Sequence, residues 1–407
     1  MTVLDPDSVR AHFPAFDEPS LANQAFFENA GGSYPCRFVT DRLERFYRER
    51  KVQPYEAYDA SRVAGEEMDE ARARLSAMLG VDADELSFGP STTQNVYVLA
   101  QAFREWLSPG DAIVVTNQDH EANSGAWRRL AHAGIEVREW KIDPGTGHLD
   151  PEMLPDLLDG AKLLCFPHCS NVVAEINDVA AITRLAHDAG AVVCVDGVSY
   201  APHGFPDVGA LGPDIYLFSA YKTYGPHQGI MVIRRALGEA LPNQGHDFNG
   251  GALYKRFTPA GPDHAQVAAC AGMADYVDAL YATLDQPHAD PRARAVAVHD
   301  AMRAREVALL GPLMDFLKGR QEVRMLGPTD LEKRAPTVAL HSARPGAELA
   351  SAMVPHGINA GGGNFYAVRP LTAMGIDPDH GVLRVSFTHY TAEAEIDRLI
   401  RTLDLVL

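Results

Sequence analysis

The chain has 407 residues, 46% hydrophobic and 22% charged, which excludes wholesale disorder and leaves room for one large core and a smaller lobe. Its formal charge of −18 argues against a nucleic-acid or anionic-membrane surface and favours a small-molecule function. An anionic ligand must then be gripped by local donors.

From about residue 65 to 235, amphipathic helices alternate with short apolar strands, the pattern of a parallel sheet covered by helices on both faces. Seven strands are predicted: Glu85 to Phe88, Ala112 to Thr116, Glu136 to Lys141, Lys162 to Pro167, Ala191 to Val195, Ile215 to Phe218 and Ile230 to Ile233. Helices are expected at Glu66 to Leu79, Ala122 to Ala133, Pro151 to Leu158 and Val179 to Ala189. The stretch from Pro242 to Ala265, with Gly250, Gly251, Pro259, Gly261 and Pro262, reads as a loop. A mostly helical run follows from Gln266 to Leu317, then strands near Thr337 to His341 and Val382 to Phe387 and a helix from Ala392 to Leu405. This divides the chain into an N-terminal segment (1–20) packing on the small lobe, a large α/β domain (21–285) and a small C-terminal α+β domain (286–407).

Five cysteines, Cys36, Cys165, Cys169, Cys194 and Cys270, include no CxxC pair, and an odd number in a long chain points to reduced thiols in a cytoplasm. The opening Met1-Thr2-Val3-Leu4-Asp5 lacks the regions of a signal peptide, and no apolar run approaches the roughly 20 residues of a membrane span. There is no GxGxxG after the first strand, no HExxH, and no metal site is expected.

In such sheets ligands bind at the carboxyl ends of the strands. Lys222, in Phe218-Ser219-Ala220-Tyr221-Lys222-Thr223, follows one apolar strand, and Asp196, in Val192-Val193-Cys194-Val195-Asp196, ends another. An amine and a carboxylate aimed at one crevice suit pyridoxal 5'-phosphate: the amine forms a Schiff base, and the carboxylate keeps the pyridine nitrogen protonated. Thr92 and Thr93 open a helix after a strand and can hold a phosphate, or simply cap that helix. Ser219 and Tyr221 flank the lysine and can add hydroxyl donors. His120 follows a strand and can stack on a planar ring, although a solitary histidine is often filler. Asn171 can bond the ring oxygen or a substrate carboxylate, or cap its own turn. Arg384 sits in an apolar strand and needs an anion, either a substrate carboxylate or an internal Asp or Glu.

The ordered set Thr92-Thr93, His120, Ser170-Asn171, Asp196, His203, Ser219-x-x-Lys222 and Arg384 resembles the class V aminotransferase family of fold-type I pyridoxal phosphate enzymes. Within it the chain is most similar to the cysteine desulfurase and selenocysteine lyase branch, starting from Phe26-Phe27-Glu28-Asn29-Ala30-Gly31-Gly32. The resemblance implies a mostly parallel seven-stranded sheet and a smaller C-terminal domain. It implies Lys222 as the Schiff-base lysine, Asp196 on the pyridine nitrogen, His120 on the ring, and Thr93, Ser219 and Tyr221 on the phosphate. Asn171 and Arg384 would face the substrate carboxylate, with Ala30 and Tyr366 beside the substrate, and His203 would support the pocket. A homodimer with interfacial active sites is implied, in which Ala260-Gly261 stands where the partner's Gly-Thr is usual.

The desulfurase loop that carries the sulfur-accepting cysteine corresponds to Gly361-Gly362-Gly363-Asn364-Phe365-Tyr366-Ala367, where Tyr366 takes the cysteine position. The expected chemistry therefore runs on a small amino acid without a persulfide: Lys222 is displaced, then acts as general base at Cα. β-Elimination of the C–S lyase type leads, with transamination and epimerisation reachable from the same intermediate and a catalytically silent scaffold as the remaining alternative.

Overall fold

The computed structural model describes residues 4–287 and 289–407. Seven strands form the central sheet: β1 (Leu86–Gly89), β2 (Ala112–Thr116), β3 (Glu136–Trp140), β4 (Ala161–Pro167), β5 (Val192–Asp196), β6 (Ile215–Ser219) and β7 (Gly229–Ile233), in the spatial order β1-β7-β6-β5-β4-β2-β3. Side chains alternate across it, so Ile113, Val115, Leu163 and Cys165 enter one core while Val114, Leu164 and Phe166 enter the other. That is why these strands read as continuous apolar runs. At the edge, β3 carries Glu136 and Arg138, charges that blunt an otherwise open ladder.

The sheet is mostly parallel, as expected, with one reversed strand. β7 runs antiparallel to both β6 and β1, because the connection over residues 220–228 is too short for the helical crossover that a parallel return requires. Every other neighbouring pair, from β6 across to β3, is parallel.

A second, antiparallel sheet comprises β8 (Val323–Met325), β9 (Thr337–Ser342), β10 (Gly361–Gly363) and β11 (Val382–Ser386), in the order β10-β11-β9-β8. It packs through Val338, Leu340, Leu383 and Val385 against Leu309, Leu313, Leu399 and Leu403 of the helices Pro291–Lys318 and Glu393–Val406. The N-terminal strand Ala25–Phe26 pairs in parallel with Ile358–Asn359, and Glu28 bridges to Ser386 at the end of β11. Residues from the start of the chain thus reach the edge of the second sheet.

Helix Asp59–Leu79 begins earlier than its apolar pattern suggested, and the helix expected over Ala122 to Ala133 is broken into short α and 3-10 turns. The expected loop at Pro242 to Ala265 holds only the turns Asp247–Asn249 and Leu253–Lys255 before helix His264–Ala269 starts. Among the described residues no helix is long and apolar enough to cross a membrane.

Candidate active site

A cavity of about 640 Å³ opens at the carboxyl ends of the central strands. The large sheet supplies His120 after β2, Asn171 after β4, Asp196 at the end of β5 and Lys222 after β6, and Arg384 enters from β11. Lys222 closes a 3-10 turn, Ala220–Lys222, and its carbonyl accepts the Ser33 hydroxyl at 2.7 Å. The turn is tied at both ends: Thr223 Oγ1 donates to the Ser219 carbonyl at 3.1 Å, and Gly225 N–H donates to the Ala220 carbonyl at 2.8 Å. The amine is therefore delivered from rigid backbone.

Burial and the nearby Arg384 charge lower the Lys222 amine to about 8, against the opposing pull of Asp196 and Glu28. Asp196 is pushed up to about 6 by burial, while the Val198 N–H at 2.8 Å and the Lys222 charge hold it down. At neutral pH the two form a protonated amine and a mostly ionised carboxylate in one buried space. Asp119 also lines the cavity, and burial together with the Asp196 charge raises its carboxyl well above the ordinary range. Asn123 Nδ2 donates to its Oδ2 at 2.7 Å.

His120 is held in one neutral tautomer. Its Nδ1 accepts the Ala122 N–H at 3.0 Å, so the ring proton sits on Nε2. Burial first, then the Lys222 and Arg384 charges, lower the ring to about 3. Helix Thr92–Trp106 starts at the cavity with Ser91 as N-cap, its side chain accepting the Gln94 N–H at 3.2 Å. Thr92 and Ser219 hydrogen-bond through their hydroxyls, and Tyr221 stacks on His227 with ring centroids 4.9 Å apart.

The corner around Arg384 is occupied by protein groups. Arg384 Nη2 pairs with Glu28 Oε1 at 2.6 Å, its Nη1 donates to the Asn171 carbonyl at 3.2 Å, and its guanidinium lies 3.8 Å from the Phe365 ring centre. Asn171 Nδ2 donates to the Phe365 carbonyl at 2.9 Å, and the Glu121 N–H donates to the Tyr366 carbonyl at 2.9 Å. Both Phe365 and Tyr366 adopt left-handed backbone, with φ of 53° and 56°.

Residues 25–261 match the family described as aminotransferase class-V. The chain belongs to that family, whose members are pyridoxal phosphate-dependent enzymes. It is 32% identical over 416 residues to the aminotransferase-like protein FGM3 of Gibberella zeae, and 29% identical over 420 residues to a cysteine desulfurase of Serratia proteamaculans, with 98% of each chain covered in both cases. The apo cysteine desulfurase of Thermococcus onnurineus superposes with a TM-score of 0.86 at 22% identity, covering 100% of this chain and 99% of that one. The cysteine desulfurase CsdA of Escherichia coli gives 0.80 at 24% identity with both chains fully covered. These structures share the fold-type I architecture, seven-stranded mixed sheet included.

For a class V aminotransferase the donor set fits the cofactor: a buried lysine, a carboxylate, a neutral imidazole, two hydroxyls at a helix N-terminus, and Asn171, whose Oδ1 is buried without a protein partner. Thr92, Thr93, His120, Asn171, Asp196, Ser219, Tyr221, Lys222, Arg384, Ala30 and Tyr366 all line the cavity. Two expected residues do not. His203 is buried behind it in a smaller pocket, its Nδ1 3.0 Å from Glu306 Oε1, because the 3-10 turn Ala201–His203 faces helix Pro291–Lys318. Gly261 is exposed on the loop before helix His264–Ala269, outside this chain's cavity. Sequence reasoning assigned no role to Glu28, Asp119, His227 or Phe365, all of them cavity-lining. Glu28 and Asp119 were adjacent to motif residues, but their side-chain directions depend on tertiary contacts.

Proposed function

We propose that this cavity binds pyridoxal phosphate and an amino acid, and that the chain catalyses a β-elimination of the C–S lyase type. The observation that carries this reading is Lys222: one lysine, buried, lowered to about 8, in a single cavity with Asp196. When bound, the cofactor supplies an electron sink for charge developing at the substrate's Cα. Asp196, ionised above about pH 6, would hold the ring nitrogen protonated. Thr92, Thr93, Ser219 and Tyr221 would hold the phosphate, and neutral His120 would cover the ring without adding charge. Lys222 would take the Cα proton, a role suited to an amine that is neutral for an appreciable fraction of the time near pH 8.

The thiols support a route without a persulfide carrier. All five cysteines are buried, and Cys169, which lines the cavity, is pushed up to about 12 by burial, so it stays a thiol. Tyr366 stands on the loop instead and is exposed. We further propose a homodimer in which Ala260-Gly261 reaches the partner's cavity, a reading supported by the exposure of Gly261, around which no atom lies within 4 Å of where a Cβ would be.

Transamination is the second reading, favoured by the likeness to the aminotransferase-like protein FGM3. Turnover with and without an added 2-oxo acid separates the two. Elimination releases ammonia and the leaving group over many turnovers with no acceptor; transamination stops after one equivalent until an acceptor is supplied. An absolute requirement for the 2-oxo acid would overturn the lyase assignment.

A further inference from the structure

The pair Glu28–Arg384 does more than stabilise two charges. Arg384 is 3% exposed, whereas the Glu28 side chain is 28% exposed, so the cation is fixed and the anion has room to leave. The backbone of Glu28 is anchored, with the Phe27 N–H donating to the Asn359 carbonyl at 2.7 Å and the Asn29 N–H to the Ser386 carbonyl at 3.4 Å. The Glu28 Oε2 and the Arg384 Nε are both buried without partners, so the pair is a single hydrogen bond rather than a closed fork.

The carboxylate also sits in a slot shaped for it. A Cβ on Gly361 would come within 2.5 Å of Glu28 Oε2, and one on Gly31 within 2.8 Å of Oε1. Two positions without side chains therefore make the space that the Glu28 carboxylate fills. Arg384 spends Nη1 on the Asn171 carbonyl, Nη2 on Glu28 and one face on Phe365, which leaves Nε open beside Nη2, so a carboxylate that took the place of Glu28 would meet a pair of donors.

We propose that Glu28 is a specificity-determining residue: it occupies the anion subsite of Arg384 in the resting enzyme, and a substrate carboxylate binds by exchanging with it. The displaced carboxylate stays tethered within the same cavity and repels a second negative charge. The site then selects amino acids with one carboxylate and a neutral or cationic side chain, and rejects dicarboxylates. This inference rests on the reading of the cavity as an amino-acid site.

Calorimetric titration of the purified enzyme with propanoate and with butanedioate, neither of which carries an amine, tests it apart from turnover. Glu28→Gln keeps the shape and removes the charge, so propanoate should bind on the order of tenfold tighter, and butanedioate should gain more. Gly361→Ala should shift both in the same direction by crowding the carboxylate out of its slot, which guards against misfolding of the first variant. Equal or weaker propanoate binding by both variants, with clear binding to the wild type, overturns the role of Glu28 and leaves Arg384 as a carboxylate site. If neither the wild type nor either variant binds propanoate, the role of Glu28 and the amino-acid reading fall together.

Discussion

Thr92 and Ser219 share a buried 2.8 Å hydrogen bond between hydroxyls separated by 127 positions in the chain. It ties the start of helix Thr92–Trp106 to the end of β6, three residues before Lys222. In the absence of an anion the two hydroxyls satisfy each other; a phosphate would accept hydrogen bonds from both, next to the positive end of the helix. Ser219→Ala or Thr92→Val should therefore weaken retention of pyridoxal phosphate by about tenfold to a hundredfold, the range expected for losing one hydrogen bond to a charged group. Because the two are partners, the double variant should lose less than the product of the single effects. Absorbance titration of the apo-protein with cofactor checks both statements.

Lys222→Met should abolish turnover and stabilise the cofactor-free protein at pH 7. The folded amine sits near 8 against an ordinary 10.5, so between those values the unfolded chain binds more protons and stability rises with pH. The burial penalty is complete below about pH 8 and gone above about 10.5. Removing it should add on the order of 3 kcal/mol at pH 7 and almost nothing near pH 10.5. Denaturant unfolding at the two pH values is the measurement, and an equal gain at both would show that packing, not charge, is responsible.

Asp196 and Asp119 should separate cleanly under the same substitution. With Asp196 titrating near 6, cofactor binding should weaken as pH falls through that value, because only the ionised carboxylate holds a protonated ring nitrogen. Asp196→Asn should bind weakly and lose that limb of the pH profile. Burial and the Asp196 charge push the Asp119 carboxyl up, away from its ionised form, and an asparagine can still accept from Asn123 Nδ2, so Asp119→Asn should stay within about twofold of the wild type. Binding isotherms from pH 5 to 8 distinguish the two carboxyls.

Removing Arg384 should be felt in stability as well as in substrate affinity. Arg384→Ala strands the Glu28 carboxylate and frees the Asn171 carbonyl, a loss of about 2 kcal/mol after allowing for the partial exposure of Glu28. Adding Glu28→Gln should recover part of that loss. A double variant no more stable than Arg384→Ala would mean that the missing arginine is felt through Phe365 packing instead.

Much of the site was legible because strand-end residues announce themselves: Lys222 and Asp196 follow apolar runs whose length and β-branched content leave few alternatives. The reversed direction of β7 was also available, in the short link over residues 220–228. Glu28 was not. Its place beside Arg384 depends on a parallel pairing of residues 25–28 with residues 358–386, which no local pattern encodes. β10 is three glycines, so it has no side chains to alternate and no strand propensity to read. His203 kept its place in the motif order, but the direction of its side chain, toward Glu306 on a helix a hundred residues later, was set by packing.

The corner where Glu28 meets Arg384 joins positions 356 residues apart, with Asn171 between them in the chain. A ribosome must release the β11 segment before this corner can form, although the lysine-bearing turn after β6 emerged long before. A nascent chain stalled after β7 would hold the amine and the hydroxyls without the guanidinium. The amine side and the guanidinium side of the cavity are thus separated in the order of synthesis, and the guanidinium corner closes only when residues from near both ends of the chain have met.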